Sequence, residues 1–151
     1  MVDWNEDISL ARALHGGLKR YFPEFIPGDS PPNPASRYEA VNSLYYSPHA
    51  ILSHDQRESI NFFNLGAQAI FGYSLEEAVG MNSIELVPIM LRQGREKLLQ
   101  KVIEGCKMVV IDTQRIKKDG RTINIRAHVF PYELFSGIYS IAAVVEKIKA
   151  Q

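Results

Sequence analysis

Ile8, Ala11, Leu14, Leu18 and Phe22 recur at steps of three and four, which predicts a helix over residues 6–21 with an apolar stripe on one face. Pro23 stops it, and five prolines crowd residues 23–34, so a semi-rigid connector follows. Ser36 can cap a second helix with Glu39 three positions on, and Tyr38, Val41, Leu44 and Tyr45 then share a face over 37–46. After Pro48 the pattern shortens. Residues 50–53 and 59–64 are β-branched and aromatic runs, and the polar stretch 54–58 between them has hairpin spacing.

Two brief helices are expected at 65–71 and 74–79, punctuated by Gly72 and Gly80. Asn64 is placed to cap the first through the N–H near Ala67, and Ser74 to cap the second with Glu76 and Glu77 in its first turn. Leu91, Leu98, Leu99, Val102 and Ile103 predict one longer helix over 86–105 that closes at Gly105. From Cys106 the period changes to two. Strands are expected at 108–117, 122–130 and 138–147, with an Asp119-Gly120 hairpin turn between the first two and a loop over 131–137 before the last. Ile123, Ile125, Ala127 and Val129 fall on one face of the middle strand, and Asn124, Arg126 and His128 on the other.

Length and composition narrow this picture. A chain of 151 residues is one domain's worth and can bury a core without disulfides or metals. Seventeen Lys and Arg balance seventeen Asp and Glu, which removes the positive field a nucleic-acid binder needs and makes the basic residues of 86–105 a solvated face. The single Cys106 reads as a buried hydrophobe, and no Cys or His cluster has metal-ligand spacing. No apolar run approaches the ~20 residues of a membrane span, and the acidic start lacks a signal peptide's features. The expectation is a cytoplasmic protein that binds neither nucleic acid, membrane nor metal.

The string Asn64-Leu65-Gly66-Ala67-Gln68-Ala69-Ile70-Phe71-Gly72-Tyr73-Ser74-Leu75-Glu76-Glu77-Ala78-Val79-Gly80, followed about forty residues later by the Lys118-Asp119-Gly120 hairpin, resembles the PAS fold. Ser53-His54-Asp55, Phe63-Asn64, Arg95, Leu98-Leu99 and Gly105 look like the MEKHLA branch of PAS-like domains. The resemblance implies an α+β architecture over 48–151, a five-stranded antiparallel sheet with short helices on one face. Residues 1–47 form an N-terminal helical extension with the proline-rich connector. It also implies a sensory or interaction module without catalytic activity, which takes a small apolar or aromatic ligand and signals as a homodimer or through a partner protein.

Short helices broken by Gly72, Gly80 and Pro88 pack less tightly than one long helix, so a ligand cavity is expected between them and the sheet, lined by Phe62, Ile70, Phe71, Ile84, Leu86, Leu98, Ile125 and Ile141. Ala69→Phe is expected to fill it. Asn124, Arg126 and His128 then face away and mark a partner surface, while Ile8, Leu14 and Leu18 offer a dimer helix. Flavin-binding light-oxygen-voltage domains resemble this family, but Gly80-Met81-Asn82-Ser83-Ile84 has serine where their reactive cysteine belongs. That excludes the covalent adduct and leaves non-covalent flavin open. The absence of histidine from 86–105 argues against haem. His54 with Asp55 reads as a turn rather than a catalytic dyad, since neighbours in a strand point apart. The competing class is a small cone-shaped α+β enzyme using Asp112 and His128 as acid and base, which requires the two to converge in one cavity.

Overall fold

Residues 8–21, 44–105, 107–135 and 137–149 are described by the computed structural model. The chain runs α1 (Ile8–Tyr21), β1 (Ala50–His54), β2 (Ile60–Phe63), α2 (Leu65–Phe71), α3 (Leu75–Ala78), 3₁₀ turns at Ser83–Leu86 and Ile89–Leu91, α4 (Arg95–Gly105), β3 (Val109–Ile116), β4 (Thr122–Phe135) and β5 (Ile138–Lys147). The strands form one antiparallel sheet in the order β2-β1-β5-β4-β3. β5, the last of the five in sequence, thus lies at the centre, which suits its mostly apolar composition. Most of the second predicted helix and Cys106 lie outside the described residues, though Leu44 and Tyr45 are helical.

Alternation along each strand sends side chains to two separate cores. On the outer face Ile51, Phe62, Phe130, Tyr132, Ala142 and Val144 pack with Leu44 beneath Leu10, Leu14 and Leu18 of α1. On the inner face Leu52, Phe63, Ile125, Ala127, Val129, Ile141 and Val145 meet Ala67, Phe71, Ala78, Leu86 and Val102 from the short helices. The sheet is therefore sandwiched.

Four sequence expectations change here. Leu14 and Leu18 are fully buried in their own chain, so they do not form a dimer surface, and the side chain of Ile8 lies outside the described residues. α1 presses so closely that a Cβ on Gly17 would sit 2.9 Å from the Phe130 ring. The expected helix over 86–105 begins only at Arg95, because Pro88 lacks a donor and Gly94 takes a left-handed φ of 87°. β4 runs through the expected loop: Pro131 pairs with Ile141 and Tyr132 with Ser140, held by burial of Tyr132 under α1. Phe62 belongs to the outer core, because it pairs with Ser53 while Phe63 pairs with Leu52, and adjacent strand residues face opposite ways.

The junction of β2 and α2 is made by Asn64. Its buried Oδ1 accepts from Ala67 N–H (3.0 Å), the expected cap, and also from Ile51 N–H (2.8 Å) in the neighbouring strand. Its Nδ2 donates to the carbonyls of Leu44 (2.9 Å) and His49 (2.7 Å). Gly66 permits the approach, since a Cβ there would lie 2.8 Å from the His49 oxygen and the Ala50 Cα. Ser74 and Glu77 close a reciprocal capping box on α3, and Glu77 also binds the Lys118 ammonium in the β3–β4 turn, which draws its pKa down to about 2.

Asn64→Ala is expected to destabilise by about 3 kcal/mol, more than the ~1 kcal/mol of a simple cap, because two carbonyls and a strand N–H lose their buried partner. Urea denaturation measures this; a loss no greater than a cap's would contradict the shared role. Leu14→Ala should cost about 2–5 kcal/mol and leave the oligomeric state unchanged, as read by denaturation and light scattering.

Candidate functional site

Between the inner sheet face and the short helices lies a cavity of about 50 Å³. Its floor is Leu52 and His54 from β1, Ile125, Ala127 and Val129 from β4, Ile141, Ala143 and Val145 from β5, and Ile111 and Arg115 from β3. Its roof is Phe71 of α2, Ser83 and Leu86 of the first 3₁₀ turn, and Arg95, Leu98 and Leu99 of α4. Three residues per turn of 3₁₀ helix place Ser83 and Leu86 on the same inward side. Asn82 fixes that turn by accepting from Ile84 N–H at 2.9 Å.

Of the eight residues expected to line a cavity, Phe71, Leu86, Leu98, Ile125 and Ile141 do so. Phe62 lies across the sheet, as described above. Ile70 packs beside the inner core but flanks the cavity, because Ala67 and Phe71 take the inward face of α2. Ile84 is turned aside by the 3₁₀ geometry. Ala69 is exposed on the far side of α2, so Ala69→Phe cannot fill the void.

The cavity has a polar end. Arg95 donates from Nε to Glu58 Oε1 (2.7 Å) and from Nη2 to Ser83 Oγ (2.9 Å). Glu58 itself sits in the β1–β2 turn with a φ of 65°, a left-handed backbone held by Ser83 N–H donating to its carbonyl at 2.8 Å. Arg115 reaches the cavity from β3, and burial together with the nearby Arg95 charge lowers its pKa to about 10. His54 is buried; its Nδ1 donates to the Asp55 carbonyl at 2.9 Å, which leaves Nε2 as the acceptor nitrogen. Burial pushes its pKa below 6.5, and Arg95 adds to the effect against the opposing pull of the Asp55 carbonyl, Glu58 and Asp55.

His54 is thus a cavity residue rather than a turn residue. The period-two series Ala50, Leu52, His54 carries that signal, because the three share one strand face. Arg115 likewise follows Ile111 and Thr113 on one face of β3. The pairing of Arg95 with Glu58, 37 positions apart, has no local signature.

On the opposite face, Arg126 clamps Asp112 with two bonds of 2.7 and 3.0 Å, Asn124 Oδ1 accepts from Gln114 at 3.3 Å, and His128 Nε2 lies 3.9 Å from Glu146. The Arg126 guanidinium holds the Asp112 carboxyl below its ordinary range. This set lies on the outer surface of β3, β4 and β5, away from the cavity. Asp112 and His128 therefore do not converge in a pocket, and the arrangement required for acid and base catalysis is not formed. Among the described residues no group of three or more His, Cys, Asp or Glu could hold a metal, and no helix is long and apolar enough to cross a membrane.

An antiparallel 2-1-5-4-3 sheet with short helices over a cavity on one face is the PAS fold. Residues 29–136 match the MEKHLA domain model, and the chain belongs to the MEKHLA family. A PAS domain from Colwellia psychrerythraea is similar in structure (TM-score 0.61, 21% identity, 74% of this chain and 95% of that one). So are the LOV domain of a blue-light activated histidine kinase from Erythrobacter litoralis (0.58, 20%, 68% and 98%) and the PAS domain of an HTR-like protein from Haloarcula marismortui (0.57, 22%, 74% and 95%). No curated protein matches the sequence.

Flavin does not fit the cavity as formed. About 50 Å³ is far below the roughly 300–1,000 Å³ of ordinary small-ligand pockets, and two arginine side chains occupy its polar end. Ser83, at the position of the photoactive cysteine, is instead bonded to Arg95.

The lowered pKa of His54 has a pH consequence. Below pH 6.5 the unfolded chain takes up a proton that the folded chain resists, so stability should fall as pH drops from 6.5 towards the folded-state value and level off beneath it. His15 and His49, also lowered by burial, act in the same direction. Thermal midpoints measured across this window should decline on acidification, and His54→Gln should remove part of the slope; an unchanged slope would refute the assignment.

Proposed function

We infer that this chain senses a small, largely apolar molecule bound in the inner cavity, and passes occupancy to a protein partner through the outer sheet face. The observation that carries the reading is the partly enclosed void itself: apolar walls from seven elements, with the polar side chains gathered at one end. Native interiors rarely leave such space unfilled. In this reading residues 48–151 form the ligand-responsive unit and residues 1–47 its N-terminal extension, with α1 covering part of the outer face. The half-buried Asn124, Arg126 and His128 set on the outer sheet face is the surface for a partner, or for a second copy of the chain, since Leu14 and Leu18 are buried. Cytoplasmic residence fits the same reading.

β4 and β5 supply the coupling, because consecutive residues of these strands face the cavity and the outer surface in turn. A side chain displaced at Ala127 or Val129 shifts the backbone that carries Arg126 and His128.

Ala143 lies in the cavity wall, so Ala143→Leu tests the reading. Thermal-shift titrations with indole, phenylacetamide and hexanamide should raise the midpoint of the wild-type protein, and the variant should stay folded while losing that rise. A rise of equal size in the variant, or none in the wild type, would overturn a ligand role for the cavity.

A further inference from the structure

The cavity's polar end indicates what kind of molecule it takes. His54, Ser83, Arg95 and Arg115 meet there, and three of them are satisfied from within the chain: His54 by the Asp55 carbonyl, Arg95 by Glu58, and Ser83 by Arg95. Arg115 is different. Its guanidinium makes one hydrogen bond, from Nη1 to the carbonyl of Gln114 at 2.8 Å, and no carboxylate among the described residues lies within ion-pair distance. A half-buried cation beside a second guanidinium is a poor arrangement unless an anion joins it.

The position of Arg115 also matters. Arg95, Leu98, Ile111 and Arg115 are walls both of the inner cavity and of an open groove of about 230 Å³, which Val87, Leu91 and Thr113 complete. The two guanidiniums therefore stand where the groove meets the apolar interior. Counting Arg95, Arg115 and Glu58, the local charge is one positive, which matches a monoanion better than a phosphate dianion. His54, kept neutral, adds no charge.

Building on the cavity reading above, we propose that the ligand is a small organic monocarboxylate, its apolar end in the inner cavity and its carboxylate on Arg115 at the neck. Arginine offers a planar pair of donors that fits both carboxylate oxygens, and the ~50 Å³ interior accepts a few carbon atoms while the groove takes the remainder.

Matched acids and amides test this on the full chain. By isothermal titration at pH 7, hexanoate and phenylacetate should bind the wild-type protein about tenfold or more tightly than hexanamide and phenylacetamide. Arg115→Gln should abolish the preference while keeping amide binding. Amides that bind as tightly as the acids, or a preference that survives Arg115→Gln in a folded variant, would overturn the carboxylate assignment and leave the cavity reading standing. Should the variant fail to fold, the wild-type comparison alone decides. If neither acids nor amides bind, the cavity reading falls and this assignment with it.

Discussion

One buried amide holds the two halves of this fold together. Asn64 bonds at once to the backbone of β1, to the first turn of α2 and to the two carbonyls that precede the sheet, and all of these bonds but the partly buried one to His49 are hidden from water. A backbone polar group buried without a partner costs about as much as the interaction it lacks, so only a side chain with both donors and acceptors can serve this junction. Aspartate has no N–H to offer, and serine is too short to reach three segments. The angle at which the short helices leave the sheet is set here, and with it the space above the inner face.

The sheet serves two environments. Its inner face borders the cavity, and its outer face is divided between an apolar half under α1 and a polar half tied by Arg126, Asp112 and Glu146. Exposed ion pairs of this kind contribute little to stability, so their part is better understood as surface chemistry than as structural support. The apolar half is secured by side chains that fit against Gly17, so α1 packs into the outer core.

Much of this was legible locally. The period-two runs of β3 and β4, the Asp119-Gly120 turn, the Ser74 cap and the Asn64 cap are all written within a few residues of where they act. What an amphipathic stripe cannot state is its partner: Leu14 and Leu18 demand burial, but whether against their own sheet or another chain depends on contacts with β4, more than a hundred positions away. The polar end of the cavity was hidden for the same reason, because Glu58, Arg95 and Arg115 come from a turn, a helix and a strand whose convergence no local pattern records. Pro131 misled in the opposite direction, a residue that breaks strands in isolation being held in one by the burial of Tyr132 beside it.

The cavity walls differ in how firmly they are tied. The β3–β4 turn is bound to α2 through Lys118 N–H and the Phe71 carbonyl at 2.9 Å, and α3 is fastened to the same turn through Glu77, so these three elements are cross-linked. The stretch from Pro88 to Gly94 has brief 3₁₀ hydrogen bonds and one bond from Arg92 Nε to the Val87 carbonyl (3.0 Å), and it leaves Ile89 and Met90 75% and 89% exposed. Its amides should therefore exchange with solvent through openings far smaller than global unfolding, so the helical layer over the inner sheet face loosens first at this segment.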